Sequence, residues 1–201
     1  MARKPGSNGA RTAAAIRRVG LKLIYRQGFA AMSLRELAAE VGIQPASLYN
    51  HIATKQALLF ELVREHMEAL LVSADAALAA APPDPLPQIE AFCAHHLLYH
   101  FERKQEVYIA NSELRALEGA NRAQIVALRR RYEERLIGLL TVGAAAGVVR
   151  TKDAQVTAFA VIAALTGACV WYRAGGRLTK ERLVAIHTAL LLDGIRPRPA
   201  P

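Results

Sequence analysis

The sequence predicts an all-α protein, and three observations support this expectation. Hydrophobic residues make up 53% of the chain but aromatic residues only 6%, and Ala and Leu are abundant. Ala and Leu lead the helix-propensity scale, whereas strands are enriched in β-branched and aromatic residues. No convincing run alternates apolar and polar residues, while apolar residues recur at helical spacing along most of the 201 residues. That length suits one or two domains with a real hydrophobic core.

The first predicted helix follows a basic segment at residues 1–10, which we expect to be a flexible arm. The helix runs from about Arg11 to Gln27, with Ile and Leu side chains along one face. Gly28 is the predicted stop, because glycine is the usual residue just beyond a helix C-terminus.

The second predicted helix has clear signals at both ends. Ser33 and Glu36 have the spacing of a capping box, in which the Ser33 oxygen accepts the Glu36 N–H and the Glu36 side chain reaches back. Apolar residues then follow at i, i+3, i+4 and i+7, and Gly42 supplies a left-handed end. We therefore predict a compact amphipathic helix.

A short third helix, Pro45–Ile52, follows the turn GIQP. At 100° per residue, one side holds Pro45, Leu48, Tyr49 and Ile52, and the opposite side holds Ala46, Ser47, Asn50 and His51. So short a helix is marginal alone. We expect the first side to dock on the preceding helices and the second side to remain available to a partner.

A long helix capped by Thr54 follows and extends to about Ala80, before the Pro-rich break at 81–87. Further helices are predicted at about 86–103, 105–117, 120–146, 153–173 and 180–193, which makes about nine in all. The uncharged stretch 154–172 nearly reaches the length of a membrane span. Its Gln, Thr and Ala content instead favours a helix buried on all sides in a soluble protein, without a membrane partner.

Charge and cysteine usage indicate a cytoplasmic protein with an anionic partner. Residues 1–55 carry nine Lys and Arg against two Glu, so this quarter holds most of the net charge of +9. A basic segment of this kind suits a polyanion, although a merely solvated basic surface is an alternative. Cys93 and Cys169 lie in apolar helical patterns typical of buried reduced thiols, and no secretory signal is apparent.

The second and third helices together predict a helix-turn-helix with Pro45–Ile52 as the recognition helix. Its polar side suits a major groove, where Asn50 and Ser47 can bind base edges or phosphates. Tyr49, His51 and Lys55 are placed to contact phosphates, and the N–H groups behind Ser33 offer an anion site. The full set of predicted DNA contacts is Ser33, Arg35, Gln44, Ala46, Ser47, Tyr49, Asn50, His51 and Lys55.

Residues 12–62 resemble the DNA-binding domain of the TetR family of bacterial one-component repressors. The match has no gap and includes the pattern G-[aliphatic]-x-x-x-[ST]-[LI]-Y-x-H-[FI]-x-x-K-x-x-L from Gly42 to Leu58. The resemblance implies a homodimer, an effector pocket in the C-terminal helices, and release of DNA when effector binds. It also implies DNA contacts for Arg35, Ser47, Tyr49, Asn50, His51 and Lys55.

The C-terminal region is similar to a branch of the family associated with lipid and steroid catabolism, on the segments VYIANSELRALEGANRAQIVALRRRYE and WYRAGGRLTKERL. That similarity implies an acyl-CoA effector. Polar interruptions of apolar stripes suggest pocket residues, with arginines for the phosphates. These candidates are Phe92, His96, Tyr99, His100, Tyr108, Arg122 and Arg129. His95, His96 and His100 could instead bind a metal, but no acidic or Cys partner converges, so we expect no metal or cofactor.

Surplus apolar surface on the last two helices predicts a four-helix interface with a second copy of the chain. The expected interface residues are Phe159, Ile162, Leu165, Trp171, Leu183, Ile186 and Leu190. Thicker burial inside one subunit is the alternative. A dimer suits DNA binding, because two recognition helices must meet half-sites roughly 34–36 Å or more apart.

The sequence therefore predicts an operator-binding domain at residues 1–53 and an effector-binding and dimerisation domain at 54–201. We expect a repressor, with the long helix from Thr54 as the lever that effector binding shifts. A metal- or other-ligand-responsive regulator of the same fold, and a non-DNA helical binding protein on a lipid surface, are the alternatives. An enzyme is not expected, because no phosphate loop or activated nucleophile is apparent.

Overall fold

The computed structural model describes residues 7–197, and every regular element in that range is helical. Besides a 3-10 helix at Leu114–Ala116, it contains nine α-helices: α1 (Ser7–Ala31), α2 (Leu34–Val41), α3 (Pro45–Leu48), α4 (Lys55–Ala80), α5 (Pro85–Glu102), α6 (Lys104–Ser112), α7 (Gly119–Ala145), α8 (Ala154–Trp171) and α9 (Lys180–Ile195). The prediction of an all-α fold is confirmed. The largest differences from the predicted bounds fall in α1, α3 and α6.

Helix α1 begins earlier than predicted, and its regular geometry is interrupted at Gly28, the predicted stop. It begins at Ser7, so the predicted flexible arm does not include residues 7–10, and residues 1–6 lie outside the described residues. At the other end, the chain kinks at Gly28 (φ 82°, ψ 158°) and then makes one more turn to Ala31. A positive φ favours glycine, which has no Cβ to clash, and this explains the residue at the kink.

The described chain groups into two compact units. The first comprises the chain up to Met67 together with Gln105–Ala127, and the second comprises Glu68–Lys104 with the chain from Leu128 onward. The segment 105–127 thus belongs to the same unit as the three N-terminal helices. The division of DNA binding and effector binding at residue 53 concerns function, and it stays a prediction.

The core of the first unit is apolar and built around α1 and α2. Helix α2 packs on α1 and also on α3. The fully buried side chains include Ile16, Leu23, Ile24, Leu37, Leu48, Leu58, Leu59 and, from the later segment, Ile109 and Ile125. Burying one such side chain stabilises the fold by about 1.5–3 kcal/mol, so this cluster holds the short α3 in place.

The second unit is organised around α5, which packs against α8 and α9. Its buried residues include Ile89, Phe92, Leu97, Leu136, Leu140, Leu165 and Leu192. The guanidinium of Arg135 donates two hydrogen bonds to the Asp75 carboxylate, at 2.8 and 2.9 Å. A bidentate pair of this kind fixes orientation as well as adding energy.

Candidate functional site

Only half of the predicted capping box forms at the start of α2. Ser33 Oγ accepts the Glu36 N–H at 3.1 Å, as predicted. The Glu36 carboxylate does not reach back to Ser33; it accepts hydrogen bonds from Arg26 at 3.2 Å and Gln27 at 2.7 Å. The reason is that α1 lies beside α2 and offers two side-chain donors, the charged Arg26 guanidinium and the neutral Gln27 amide. Gly42 adopts the predicted left-handed end, with φ 77°.

Helix α3 is shorter than the predicted Pro45–Ile52 and ends at Leu48. No side chain caps its N-terminus, and its next residues form turns, with the His51 N–H bonded to the Leu48 carbonyl at 2.9 Å. Leu48 is fully buried, whereas Pro45 and Tyr49 are exposed. The prediction that Pro45 and Tyr49 dock on the preceding helices was therefore wrong, because the four-residue helix α3 buries only the Leu48 side chain. Ile52, half-buried, completes the anchor.

The predicted DNA-contacting residues lie on the surface of the first unit. Tyr49 is 59% exposed, and Asn50, His51 and Ser47 beside it are exposed as well. The remaining exposed members are Ser33, Arg35, Gln44 and Ala46, while Lys55 is half-buried. Hydroxyl, amide and imidazole groups on one exposed segment are the donors and acceptors that a DNA groove requires.

Lys55 has a second role that the sequence did not reveal. Its ammonium donates a hydrogen bond to the Ala30 carbonyl at 3.0 Å and lies 4.5 Å from the centre of the Phe29 ring. It therefore closes the last turn of α1 after the Gly28 kink. A lysine has three N–H donors, so one bond to a carbonyl leaves others for a phosphate.

The later segment of the first unit contacts α1 and α4, the two helices that flank the helix-turn-helix, at three points. Glu113 Oε1 accepts the N–H of Phe29 at 3.2 Å, and Gln56 donates to the Ala116 carbonyl at 2.6 Å. The Tyr108 ring meets Tyr25 of α1 edge-on, with centroids 5.2 Å apart. Sequence reasoning missed these contacts, because they join residues 60 to 84 positions apart and leave no local pattern.

A cleft of about 480 Å³ opens on this segment, between the end of α6 and the start of α7. It is lined by Asn111, Ser112, Leu114, Arg115 and Arg122. The volume falls within the range of small-molecule pockets. Arg122 was predicted to contact the effector, whereas Arg115 was not singled out.

Four of the predicted effector residues form a buried cluster on α5 in the second unit: Phe92, His96, Tyr99 and His100. The His96 and His100 rings stack, with centroids 3.7 Å apart. His96 Nδ1 lies 3.0 Å from the Tyr132 hydroxyl and Nε2 lies 3.1 Å from Thr166 Oγ1. The imidazole of His96 is thus held at both nitrogens inside an apolar core.

Burial also shifts pKa values around this cluster. It raises the pKa of the Tyr132 hydroxyl well above its ordinary value and that of the Cys93 thiol to about 12. Burial, with a smaller contribution from Arg103, lowers the pKa of His95, whose Nε2 lies 2.9 Å from Ser73 Oγ. These groups are therefore neutral at pH 7. Within residues 7–197, no three His, Cys, Asp or Glu side chains are gathered as a metal would require.

The other three predicted effector residues lie apart from this cluster in the chain. Tyr108 is half-exposed and Arg122 is exposed, and both belong to the first unit. Arg129 lies in the second unit, half-buried, and burial lowers the pKa of its guanidinium while Glu133 opposes that shift. The structure thus distributes the predicted pocket residues over both units.

Helices α8 and α9 expose an apolar surface. It contains Phe159, Trp171, Ile186 and Leu190, all predicted, together with Val156 and Val170, which were not. Leu165 and Leu183 are buried within the chain itself, so these two predicted interface residues are not part of this exposed surface. Ile162 is half-buried.

Helix α8 is long and apolar enough to cross a membrane by length and composition, but only 22% of it is buried inside the chain. The expectation of a helix buried on all sides was therefore wrong for a single copy. Its exposed stripe continues onto α9, and such a patch marks an interaction surface.

Both halves of the chain match protein-family models. The model described as "Bacterial regulatory proteins, tetR family" matches residues 16–62, and the one described as "Tetracyclin repressor-like, C-terminal domain" matches residues 82–195. Together they cover most of the chain.

Similar proteins and structures are transcriptional regulators. The "HTH-type transcriptional repressor KstR2" of Rhodococcus jostii (strain RHA1) is 24% identical over 192 residues, covering 94% of this chain and 93% of that protein. The structure of PfmR from Thermus thermophilus is 29% identical, with a TM-score of 0.79, covering 89% and 97%. The structure of AibR in complex with isovaleryl coenzyme A and operator DNA is 26% identical, with a TM-score of 0.83, covering 90% and 98%.

Proposed function

The chain belongs to the TetR family of bacterial transcriptional repressors, and we propose that it binds operator DNA as a homodimer and is released by an acyl-CoA thioester. Members of this family are DNA-binding regulators, so the prediction that the chain is not an enzyme is confirmed. The observation that carries the proposal is the α2–α3 segment. Its apolar anchor Leu48 is buried while the polar residues around Tyr49 are exposed.

In this proposal, α3 and the turn after it enter the major groove. Asn50 and Ser47 contact base edges, and the Ala46 methyl meets a thymine methyl. Tyr49 and His51 contact phosphates, because their donors lie on the exposed side of the turn. These groups fix the register and part of the sequence preference.

Basic and polar residues around α3 complete the proposed DNA surface. Lys55 donates to a phosphate with the ammonium hydrogens that are not bonded to Ala30. Ser33 and Arg35, at the start of α2, contact the DNA backbone. Gln44 lies exposed just before α3. Each neutralised phosphate contributes to salt-dependent binding.

The homodimer is proposed to form through the apolar surface of α8 and α9. Val170 is 89% exposed, Leu190 67% and Trp171 56%, which is unusual for large apolar side chains in a monomer. A second copy covering the same surface by a twofold axis buries all of them. The location that follows for such a regulator is the cytoplasm.

The effector is proposed to be an acyl-CoA. Supporting this, the similar AibR structure contains isovaleryl coenzyme A and operator DNA, and the chain offers arginines in a cleft of ligand size. Effector binding is proposed to shift α4, which begins next to the DNA-binding residues, and thereby change the spacing of the two recognition helices. This is a coupling between two sites through two global states.

The experiment that tests DNA binding is a selection from a random duplex library, followed by fluorescence anisotropy on the selected duplex and a scrambled one. We expect the protein to prefer the selected duplex by at least about a thousandfold, the lower end of the range for specific binders. Asn50→Ala should change the preferred sequence, and Tyr49→Phe should weaken binding to all duplexes. Equal affinity for selected and scrambled DNA would refute the proposal.

A further inference from the structure

We propose that the cleft lined by Asn111, Ser112, Leu114, Arg115 and Arg122 binds the phosphate groups of a nucleotide-containing ligand. The inference deepens the proposed function and rests on it for the source of that ligand, the phosphorylated half of coenzyme A. All five residues belong to the first unit, the unit that holds the helix-turn-helix.

The charge of the cleft selects an anion. Arg115 lies in the 3-10 helix and Arg122 in the first turn of α7, and both are exposed. Among residues 7–197, neither guanidinium has a carboxylate partner within ion-pair distance. Two arginines that line one cleft suit phosphate, because the guanidinium fork matches two phosphate oxygens.

Neither of the acidic neighbours in sequence forms an ion pair with the arginines of this cleft. Glu113 is bonded to the Phe29 N–H, and Glu118 is exposed and is not among the lining residues. The neutral lining residues are compatible with the same ligand: Asn111 has an amide, and Leu114 supplies an apolar wall. Ser112 Oγ donates to the Tyr108 carbonyl at 2.9 Å.

The size of the cleft argues for more than one phosphate group. About 480 Å³ is far larger than a single inorganic anion needs and falls within the range of drug-sized ligands. A diphosphate with its attached nucleoside is of this size and carries separate charges that can pair with Arg115 and Arg122. Coenzyme A and free nucleotides share this chemistry.

The position of the cleft gives its occupancy a route to DNA binding. Glu113, which holds the end of α1 at Phe29, lies between the lining residues Ser112 and Leu114. The Ala116 carbonyl, which accepts the Gln56 hydrogen bond, directly follows Arg115. A ligand that moves this 3-10 turn therefore acts on two helices of the DNA-binding unit through bonds of 3.2 and 2.6 Å.

The test is isothermal titration calorimetry of the full-length protein without DNA, with coenzyme A, adenosine 3′,5′-bisphosphate, ADP and pantetheine as probes. We expect coenzyme A and the bisphosphate to bind and pantetheine, which has no phosphate, to bind at least tenfold more weakly. Arg115→Gln and Arg122→Gln should each weaken coenzyme A binding by at least about tenfold, the loss expected for one charged hydrogen-bonding group. No binding by any phosphorylated probe would overturn the proposal.

A matched control is Arg18→Gln, which removes the same charge from an exposed arginine of α1. It should leave coenzyme A affinity within about twofold of the wild type. A loss as large as that of the cleft variants would mean that net charge alone drives binding, and would overturn the site. Arg115→Lys keeps the charge but not the fork, and we expect an intermediate loss.

The remaining outcomes separate this proposal from the proposed function. ADP binding as tightly as coenzyme A through both arginines supports the site and identifies free nucleotide as its ligand. Coenzyme A binding through both arginines, with no release of operator by any thioester, supports the site and refutes the effector proposal. Arg115→Gln could also leave nucleotide binding unchanged and reduce the slope of log K against log salt for operator binding. That result would assign the cleft to DNA and overturn the proposal.

Discussion

The hydrogen bond from the Phe29 N–H to Glu113 provides a direct test of how the later segment supports the DNA-binding unit. Phe29 is a buried residue and its bond to Glu113 is partly buried, so water replaces the carboxylate only in part when it is removed. An unsatisfied buried donor costs about 1–3 kcal/mol, and the half-buried position of Glu113 lets some water in. We therefore expect Glu113→Ala to lower the free energy of unfolding by about 1–2 kcal/mol.

The assay is urea unfolding followed by circular dichroism at one fixed protein concentration, because a dimer makes apparent stability depend on concentration. In thermal unfolding, the melting temperature of Glu113→Ala should lie about 2–8 °C below that of the wild type for a chain of this size. Glu113→Gln retains a carbonyl acceptor and should lose about half as much. Glu90→Ala, an exposed acid on α5, should change stability by no more than about 0.5 kcal/mol.

Equal stability of Glu113→Ala and the wild type would show that the bond to Phe29 contributes nothing to stability. It would mean that water replaces the carboxylate without cost, and that the contact does not hold the end of α1. An equal loss for the Ala and Gln variants would instead show that charge, and not the acceptor, matters. The first result would remove Glu113 from the route between the cleft and α1, whereas the second would keep it there through its charge.

Four further predictions concern other parts of the molecule. Leu48→Ala should lower the free energy of unfolding by about 2–5 kcal/mol, since Leu48 is fully buried; urea unfolding measures this, and a loss below about 1 kcal/mol would contradict the anchor role. Lys55→Ala should flatten the slope of log K against log salt for operator binding by about one and also lower the melting temperature, because Ala30 loses its donor. Leu190→Asp should raise the dimer dissociation constant at least about tenfold in analytical ultracentrifugation, because the dimer would bury the new charge. An unchanged dissociation constant would exclude the α8–α9 surface as the dimer interface. The Arg135 hydrogen bond lowers the pKa of Asp75 below 3.8, so the stabilisation by this pair is present above about pH 4 and is lost as pH falls. In a plot of urea midpoint against pH, Asp75→Asn should therefore show a smaller fall at acid pH than the wild type. An unchanged fall would contradict this prediction.

Local features of the DNA-binding segment could be predicted from the sequence because their causes are local. The Ser33 cap and the Gly42 end each depend on residues within one helical turn, and both were predicted correctly. The second half of the capping box was wrong because Arg26 and Gln27 compete for Glu36 across helices. The spacing of residues within one helix gives no information about such competition from a neighbouring helix.

Tertiary features of the site were harder to predict for the same reason. The i, i+4 spacing correctly placed His96 and His100 together, but their partners Tyr132 and Thr166 come from distant helices. Helical periodicity placed Leu165 on an apolar helix but could not tell which apolar stripe faces the chain's own core and which faces outward.

The same limit applies to the 105–127 segment. Its sequence shows a polar break before α7, yet nothing in it indicates that Arg115 and Arg122 line one cleft beside bonds to Phe29 and Gln56. Contacts of this range depend on how the helices pack. They could be found only in the three-dimensional structure.

Release of operator by effector can be measured by operator anisotropy with increasing concentrations of a CoA thioester, compared with the corresponding free acid. We expect the thioester to lower operator affinity at least about fivefold, the lower end of allosteric coupling, while the free acid has no effect. Equal operator affinity at saturating thioester, measured on protein that demonstrably binds it, would mean that the thioester is not the effector.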